Sequence, residues 1–371
     1  MAATETKAIL LSLLSLENTQ LTSKQKKRMF TDHPSYKADV QRATDVADIG
    51  RLSGKTVLVT GATGLIGVHL IDALMQLGNV NVIATGRSAA SARARIGSHY
   101  ASPRFRFAEH DACLPFDESL TADYIIPLAS NTHPLAYSQH PVETATVNVL
   151  GAKHALDLAV RCHATVLYPS TVEVYGNARG EDVFTEDYTG TLNLSTARSC
   201  YTESKRCAEA LCLSYAAQYG VEVKTARLSR VFGPTMLPTD TKASSQFLTR
   251  AVRGEDIVLK SEGTQLYSYT YVTDAVAAML HIMMHGENAT AYNISNRDCD
   301  VRLKDFAQTA ADCAGTHVVF DLPTETERRG YSIAQRAILD NRRLLATGFR
   351  PAYTMREAVE RTIEILSYLR K

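Results

Sequence analysis

The sequence predicts an α/β protein, a doubly wound parallel sheet with a smaller C-terminal lobe. Three observations predict it. From Lys55 onward, short apolar runs alternate with amphipathic stretches of helical period. The first of these runs leads directly into a glycine-rich turn that opens a helix. The alternation then becomes irregular beyond Phe232, with short mixed elements to the C-terminus. The boundaries that follow are a helical extension over 1–50, a dinucleotide-binding part mainly over 52–232 and a substrate-binding lobe mainly over 233–371, interleaved with it.

The 371 residues carry a formal charge of +1 and are 45% hydrophobic, enough for one sizeable core. Near-neutral charge gives no electrostatic reason for a nucleic-acid partner, and the short KQKKR run at 24–28 reads as a solvated helix face. Seven scattered cysteines without a CxxC pair read as reduced thiols, which points to the cytoplasm. No apolar run has the length of a membrane span. AILLSLLSL at 8–16 has the length of a signal-peptide core but lacks a small-residue cleavage site after it. The first fifty residues are otherwise polar and helix-like, with a break at DHPSYK (32–37).

The predicted strands, in order, are KTVLVT (55–60), VNVIA (80–84), RFRFA (104–108), DYIIPLA (123–129), ATVLYPS (164–170) and VEVKTARL (221–228). Helix-period segments such as LIGVHLIDALMQLG and VETATVNVLGAKHALDLAVRC separate most of them, the spacing of a parallel sheet with a ligand at its carboxyl edge. TGATGLIG (60–67) sits between the first strand and the first of these helices. Gly61 permits a tight turn, Gly64 lets backbone approach a pyrophosphate, and Gly67 allows close helix–strand packing. Thr63, Leu65 and Ile66 complete this candidate dinucleotide cradle. The second strand ends Ala84-Thr85-Gly86-Arg87 without the acid that selects NAD, so Arg87 is a candidate for a 2′-phosphate or for adenine stacking.

Tyr201 and Lys205, four apart in YTESK, lie on one helix face. An ammonium beside a phenol favours phenolate, making Tyr201 a candidate base for a substrate hydroxyl. STVEVYG (170–176) ends the fifth strand with Ser170, Thr171 and Glu173 around an inert Val172. His281 and His285 in HIMMH have a metal pair's spacing but no accompanying glutamate, so no metal site is expected; His110, His133 and His140 stand alone.

TGATGLIG, STVEVYG and YTESK together resemble the extended short-chain dehydrogenase/reductases that modify nucleotide sugars, from about Lys55 to the C-terminus. The resemblance implies a Rossmann-type fold and NAD, while Arg87 leaves NADP open. It implies that Asp111 contacts adenine, that Ala129 and Ser130 line the nicotinamide half, and that Lys205 also bonds the nicotinamide ribose. It gives Thr171 a hydrogen bond to the substrate oxygen that Tyr201 deprotonates, with Ser170 the rival donor, and makes Asn148 a brace. A homodimer is expected on the same ground.

Family members that oxidise a hexose at C4 then diverge. A 4,6-dehydratase needs an acid where Val172 stands. A 4-epimerase needs only tyrosine and hydroxyl. UDP-glucuronate decarboxylases keep threonine and glutamate at the positions of Thr171 and Glu173, and residues 199–234 look closest to them. A UDP-glucuronate decarboxylase-like enzyme is therefore the first reading. The 4-epimerase and the dehydratase come next, then a net reductase using exchanging NADPH or a sensor without turnover. In the substrate half, Tyr267 replaces the family's anion-binding arginine and Arg230 replaces an asparagine. Arg230 and Arg336 are the candidate anion contacts, with Gln246 and Tyr267 beside them.

Overall fold

The structure, a computed structural model, describes residues 28–132, 134–180, 182–322 and 335–370. The AILLSLLSL segment, residues 24–27 of the basic run and His133 lie outside them. Arg28, the last residue of that run, donates to the Tyr368 carbonyl and sits over its ring at 4.7 Å.

The break at DHPSYK is a helix start. Pro34 occupies the first turn of α1 (Pro34–Thr44), where its missing N–H is no loss, and the His33 ring accepts from the Ser35 N–H. Then follow β1 (Thr56–Thr60), α2 (Leu65–Gln76), β2 (Asn81–Gly86), α3 (Ala89–Ile96), β3 (Phe105–Glu109) and β4 (Tyr124–Pro127). The winding continues through α4 (Pro134–Gln139), α5 (Pro141–Cys162), β5 (Thr165–Thr171), α6 (Ser199–Tyr219) and β6 (Val223–Leu228). These are the six predicted strands.

The main sheet has seven parallel strands in the order β10-β6-β5-β4-β1-β2-β3, its seventh strand β10 (Thr290–Ile294) coming from late in the chain. From β1 the chain winds out to β2 and β3, then returns to β4 on the other side. This reversal opens a crevice between the carboxyl ends of β1 and β4, where such sheets take ligands.

The part of the chain after Leu228 forms β7 (Arg230–Phe232), α7 (Ala243–Arg253), β8 (Ile257–Leu259), β9 (Leu266–Tyr271) and α8 (Val272–His285), the last packing against α1 and α2 beside the main sheet. It continues with β11 (Asp300–Arg302), α9 (Leu303–Ala314), β12 (Val318–Phe320), β13 (Arg336–Ala337), α10 (Arg342–Ala346) and α11 (Met355–Arg370). Strand β9 is its hub, pairing with β7, β11 and β13. Every residue of α8 from Val272 to Met284 is buried, including His281, whose ring bonds Thr347; of the HIMMH stretch only His285 is half-exposed, its ring against the Ala47 carbonyl.

Helix α1 is built into this body. Tyr36, Val40 and Ala43 bury its apolar side, and Tyr36 donates to Asp72 of α2. Asp39, fully buried, accepts from Tyr271 of β9, from Tyr353 and from Arg361 of α11. A buried carboxylate is tolerated only when so paired.

Candidate active site

Gly61 turns the chain at the end of β1 with φ +62°, a conformation that suits glycine. A Cβ there would lie 2.7 Å from the Ala129 nitrogen and the Leu128 carbonyl carbon, so no side chain fits between the turn and the end of β4. At Gly67 a Cβ would lie 2.5 Å from the Gly61 oxygen, which is the close helix–strand packing its position calls for. Gly64 caps α2, and half-buried Thr63, Leu65 and Ile66 surround the turn. The Ala129 N–H donates to Thr60 Oγ1 and fixes β4 against β1. Bare backbone and a helix N-terminus at a sheet's switch point fit a dinucleotide diphosphate.

Arg87 is exposed just past β2, and Asp111 lies just past β3. The Asp111 carboxylate accepts the Cys113 N–H at 3.0 Å, which holds its pKa below the usual range, and the nearby Arg87 charge adds to this. The structure thus brings these two cofactor candidates together. Ser130 extends the line inward, donating to Asn148 Oδ1 at 2.7 Å. Asn148 donates to Ser204, and Ser204 to the Tyr201 carbonyl. This relay, with Asn148 at its middle, couples the β4 edge to α6.

Tyr201 and Lys205 face the end of β5 from α6. Lys205 is buried and donates to the Pro169 carbonyl at 2.9 Å, with Nζ 5.0 Å from the centre of the Tyr168 ring. Burial pushes its pKa down to about 8. The Tyr201 hydroxyl hydrogen-bonds Thr171 and Tyr137, which brings phenol and threonine together. The ligand-free phenol is nevertheless raised, not lowered: burial dominates, and Glu173 adds its negative charge. Thr171 also caps the short turn Val172–Tyr175, accepting from the Glu173 N–H. Val172 packs into the core, while Glu173 stays partly exposed, 3.5 Å from Arg198 and 3.5 Å from the Thr202 hydroxyl. Ser170 is buried, its hydroxyl without a hydrogen-bond partner among the described residues.

Arg230 of β7 stacks on Tyr267 of β9, its guanidinium carbon 3.5 Å from the ring centroid. Its Nη1 and the Nε of Arg336 are buried without hydrogen-bond partners among the described residues. Two buried guanidinium donors awaiting acceptors suit an anionic ligand. Gln246 is exposed on α7 and spends its amide on the Thr241 carbonyl, so no contact ties it to either arginine.

The sequence did not single out Tyr137 or Arg198. The Tyr137 ring lies nearly parallel to Tyr201 at 4.6 Å, and Arg198 sits 5.7 Å over Tyr137. The only local signal was Arg198's position three residues before Tyr201.

The pattern of the NAD dependent epimerase/dehydratase family matches residues 57–295. UDP-glucuronic acid decarboxylase 6 of Arabidopsis thaliana is 37% identical over 244 residues, covering 66% of this chain and 70% of the relative. UDP-glucuronic acid decarboxylase 1 of Danio rerio is 30% identical over 335 residues, covering 88% and 76%. Among solved structures, UDP-glucuronic acid 4-epimerase of Bacillus cereus, in complex with UDP-glucuronic acid and NAD, superposes with a TM-score of 0.72. It is 20% identical and covers 85% of this chain and 99% of that one, a likeness of fold. No helix among the described residues is long and apolar enough to cross a membrane.

Proposed function

Since the chain belongs to the NAD-dependent epimerase/dehydratase family, we propose that it converts a UDP-linked hexuronate to the pentose by oxidation at C4, decarboxylation and reduction. One observation carries this reading. Tyr201, Thr171, Lys205 and Glu173 converge at the carboxyl edge of the sheet, while Val172, where a dehydratase needs an acid, is buried.

Gly61, Gly64, Gly67, Thr63, Leu65 and Ile66 would hold the diphosphate of NAD, with Arg87 and Asp111 toward adenosine and Ala129, Ser130 and Lys205 toward nicotinamide, while Ser170 would be the second hydroxyl near the substrate oxygen. When bound, NAD supplies a hydride acceptor for C4 and the same hydride for the final reduction. Tyr201 takes the C4 hydroxyl proton and later returns it. Thr171 fixes that oxygen, and Lys205, held against Pro169, places a donor behind it. A ketone at C4 is β to the C6 carboxylate, so carbon dioxide leaves with its bonding electrons delocalised onto O4. Glu173 is the group at this edge that can carry a proton to C5. Arg230 and Arg336 would meet the UDP diphosphate, Tyr267 would support Arg230, and Gln246 is a more distant candidate contact.

The relatives' names support the decarboxylase over the 4-epimerase. A homodimer and a cytoplasmic location complete the proposal; seven unpaired thiols support the latter. Product mass tests it. With UDP-glucuronate the product should be lighter by one carbon dioxide; an unchanged mass means epimerisation, and loss of water means dehydration.

A further inference from the structure

Arg198 introduces the catalytic helix α6 and belongs to neither the glycine turn nor the Tyr201–Lys205 pair. Its guanidinium stands between two groups that touch the reacting edge. On one side Nη2 is 3.5 Å from Glu173 Oε1; on the other, Cζ lies 5.7 Å over the Tyr137 ring. Tyr137 in turn lies against Tyr201 at 4.6 Å and hydrogen-bonds its hydroxyl. The backbone under Glu173 is fixed independently, because Arg206 donates to the Val174 carbonyl at 2.7 Å and to the Gly190 carbonyl at 3.3 Å. Only the Glu173 side chain is therefore free to swing, and its two oxygens face Arg198 and Thr202, both from the start of α6.

We propose that Arg198 is a positioning residue for proton transfer, drawing the Glu173 carboxylate toward the start of α6 and neutralising its field at the Tyr201 hydroxyl. The inference rests on the catalytic reading of Tyr201 and Glu173 given above. Other groups face the phenol too: Thr171 and Tyr168 from β5 and Tyr137 from α4. Thr171 and Tyr137 favour the phenolate through hydrogen bonds, whereas the Glu173 charge opposes it. Arg198 is partly exposed, so its attraction for Glu173 is modest and screened by salt. What it controls is where the carboxylate rests.

The test is a double-mutant cycle on the NAD-loaded protein. Transient nicotinamide reduction in a single turnover is followed against pH in wild type, Arg198→Gln, Glu173→Gln and the double variant. Arg198→Gln should move the acid limb of the rate to higher pH by about one unit, a loss of about tenfold at fixed pH that alkali restores. In the Glu173→Gln background the same substitution should shift the limb by less than a third of that. Arg198→Lys should recover most of the wild-type profile, and retained NAD affinity identifies a folded variant. A pH-independent loss, or an equal shift in both backgrounds, overturns the proposal. UDP-glucuronate, UDP-glucose and UDP-galactose are each tried as reductant. Failure of glucuronate alone sinks the substrate reading and leaves the cycle runnable on another sugar; failure of all three sinks both.

Discussion

Replacing Lys205 with methionine should stabilise the ligand-free protein at neutral pH while removing its activity. The ammonium is 5% exposed, and burial pushes its pKa from an ordinary value of about 10.4 down to about 8. A depression of that size means that carrying the charge costs the fold about 3 kcal/mol relative to a neutral side chain. Methionine fills nearly the same volume without charge but gives up the bond to the Pro169 carbonyl, worth about 1 kcal/mol. The net gain at pH 7 is roughly 2 kcal/mol. The size of the gain depends on pH, and it is used up by about pH 9.5. Below pH 8 folded and unfolded chains both carry the proton and the cost is full. Between about 8 and 10.4 the folded chain sheds its proton while the unfolded chain keeps it, so wild-type stability rises with pH. Lys205→Met lacks that rise, so the gap between the two proteins closes at about pH 9.5. Urea unfolding of both proteins at several pH values from 7 to 10, followed by circular dichroism, measures the difference. A variant less stable at pH 7, or one with the same slope, would refute the reasoning.

Gly61→Ala should lose NAD binding and destabilise the protein by several kcal/mol, since it combines a left-handed φ with a 2.7 Å contact to β4 backbone; calorimetric titration with NAD and a melting curve read both effects. Glu173→Gln should keep transient nicotinamide reduction by UDP-glucuronate yet form the final pentose product at least tenfold more slowly, because the proton for C5 is lost. Equal product rates would reduce Glu173 to a structural role.

The parts of this fold that repeat a local rule were legible in the sequence. Six of the seven strands of the main sheet read as apolar runs because parallel strands are largely buried, and the glycine turn announced itself by its place between strand and helix; β10, TAYNI, has no such run and was not read. Tyr201 and Lys205 were legible because one helix turn sets their separation. What tertiary contact decides was not. Helix α1 reads as polar, and only the donors from β9 and α11 explain how Asp39 can be fully buried. Tyr137 comes from a six-residue helix with no motif, and its ring reaches Tyr201 across more than sixty residues of chain. The phenol's pKa was misjudged for a related reason: pairing along a helix is visible in sequence, but burial and the Glu173 charge are set by the packed site. The Arg230–Tyr267 stack pairs the two residues that depart from the family pattern, each lying on the other, a contact that their separation in sequence hides.

The central claim is that Tyr201 starts a self-contained oxidation at C4 whose hydride returns to the same sugar. UDP-glucuronate deuterated at C4, turned over by the NAD-loaded protein and by Tyr201→Phe, tests it most directly. The wild type should release a pentose product that keeps its deuterium with no net change in nicotinamide, and Tyr201→Phe should bind NAD normally and release none. Deuterium lost to a free cofactor pool, or a Tyr201→Phe protein turning over at the wild-type rate, would contradict the account.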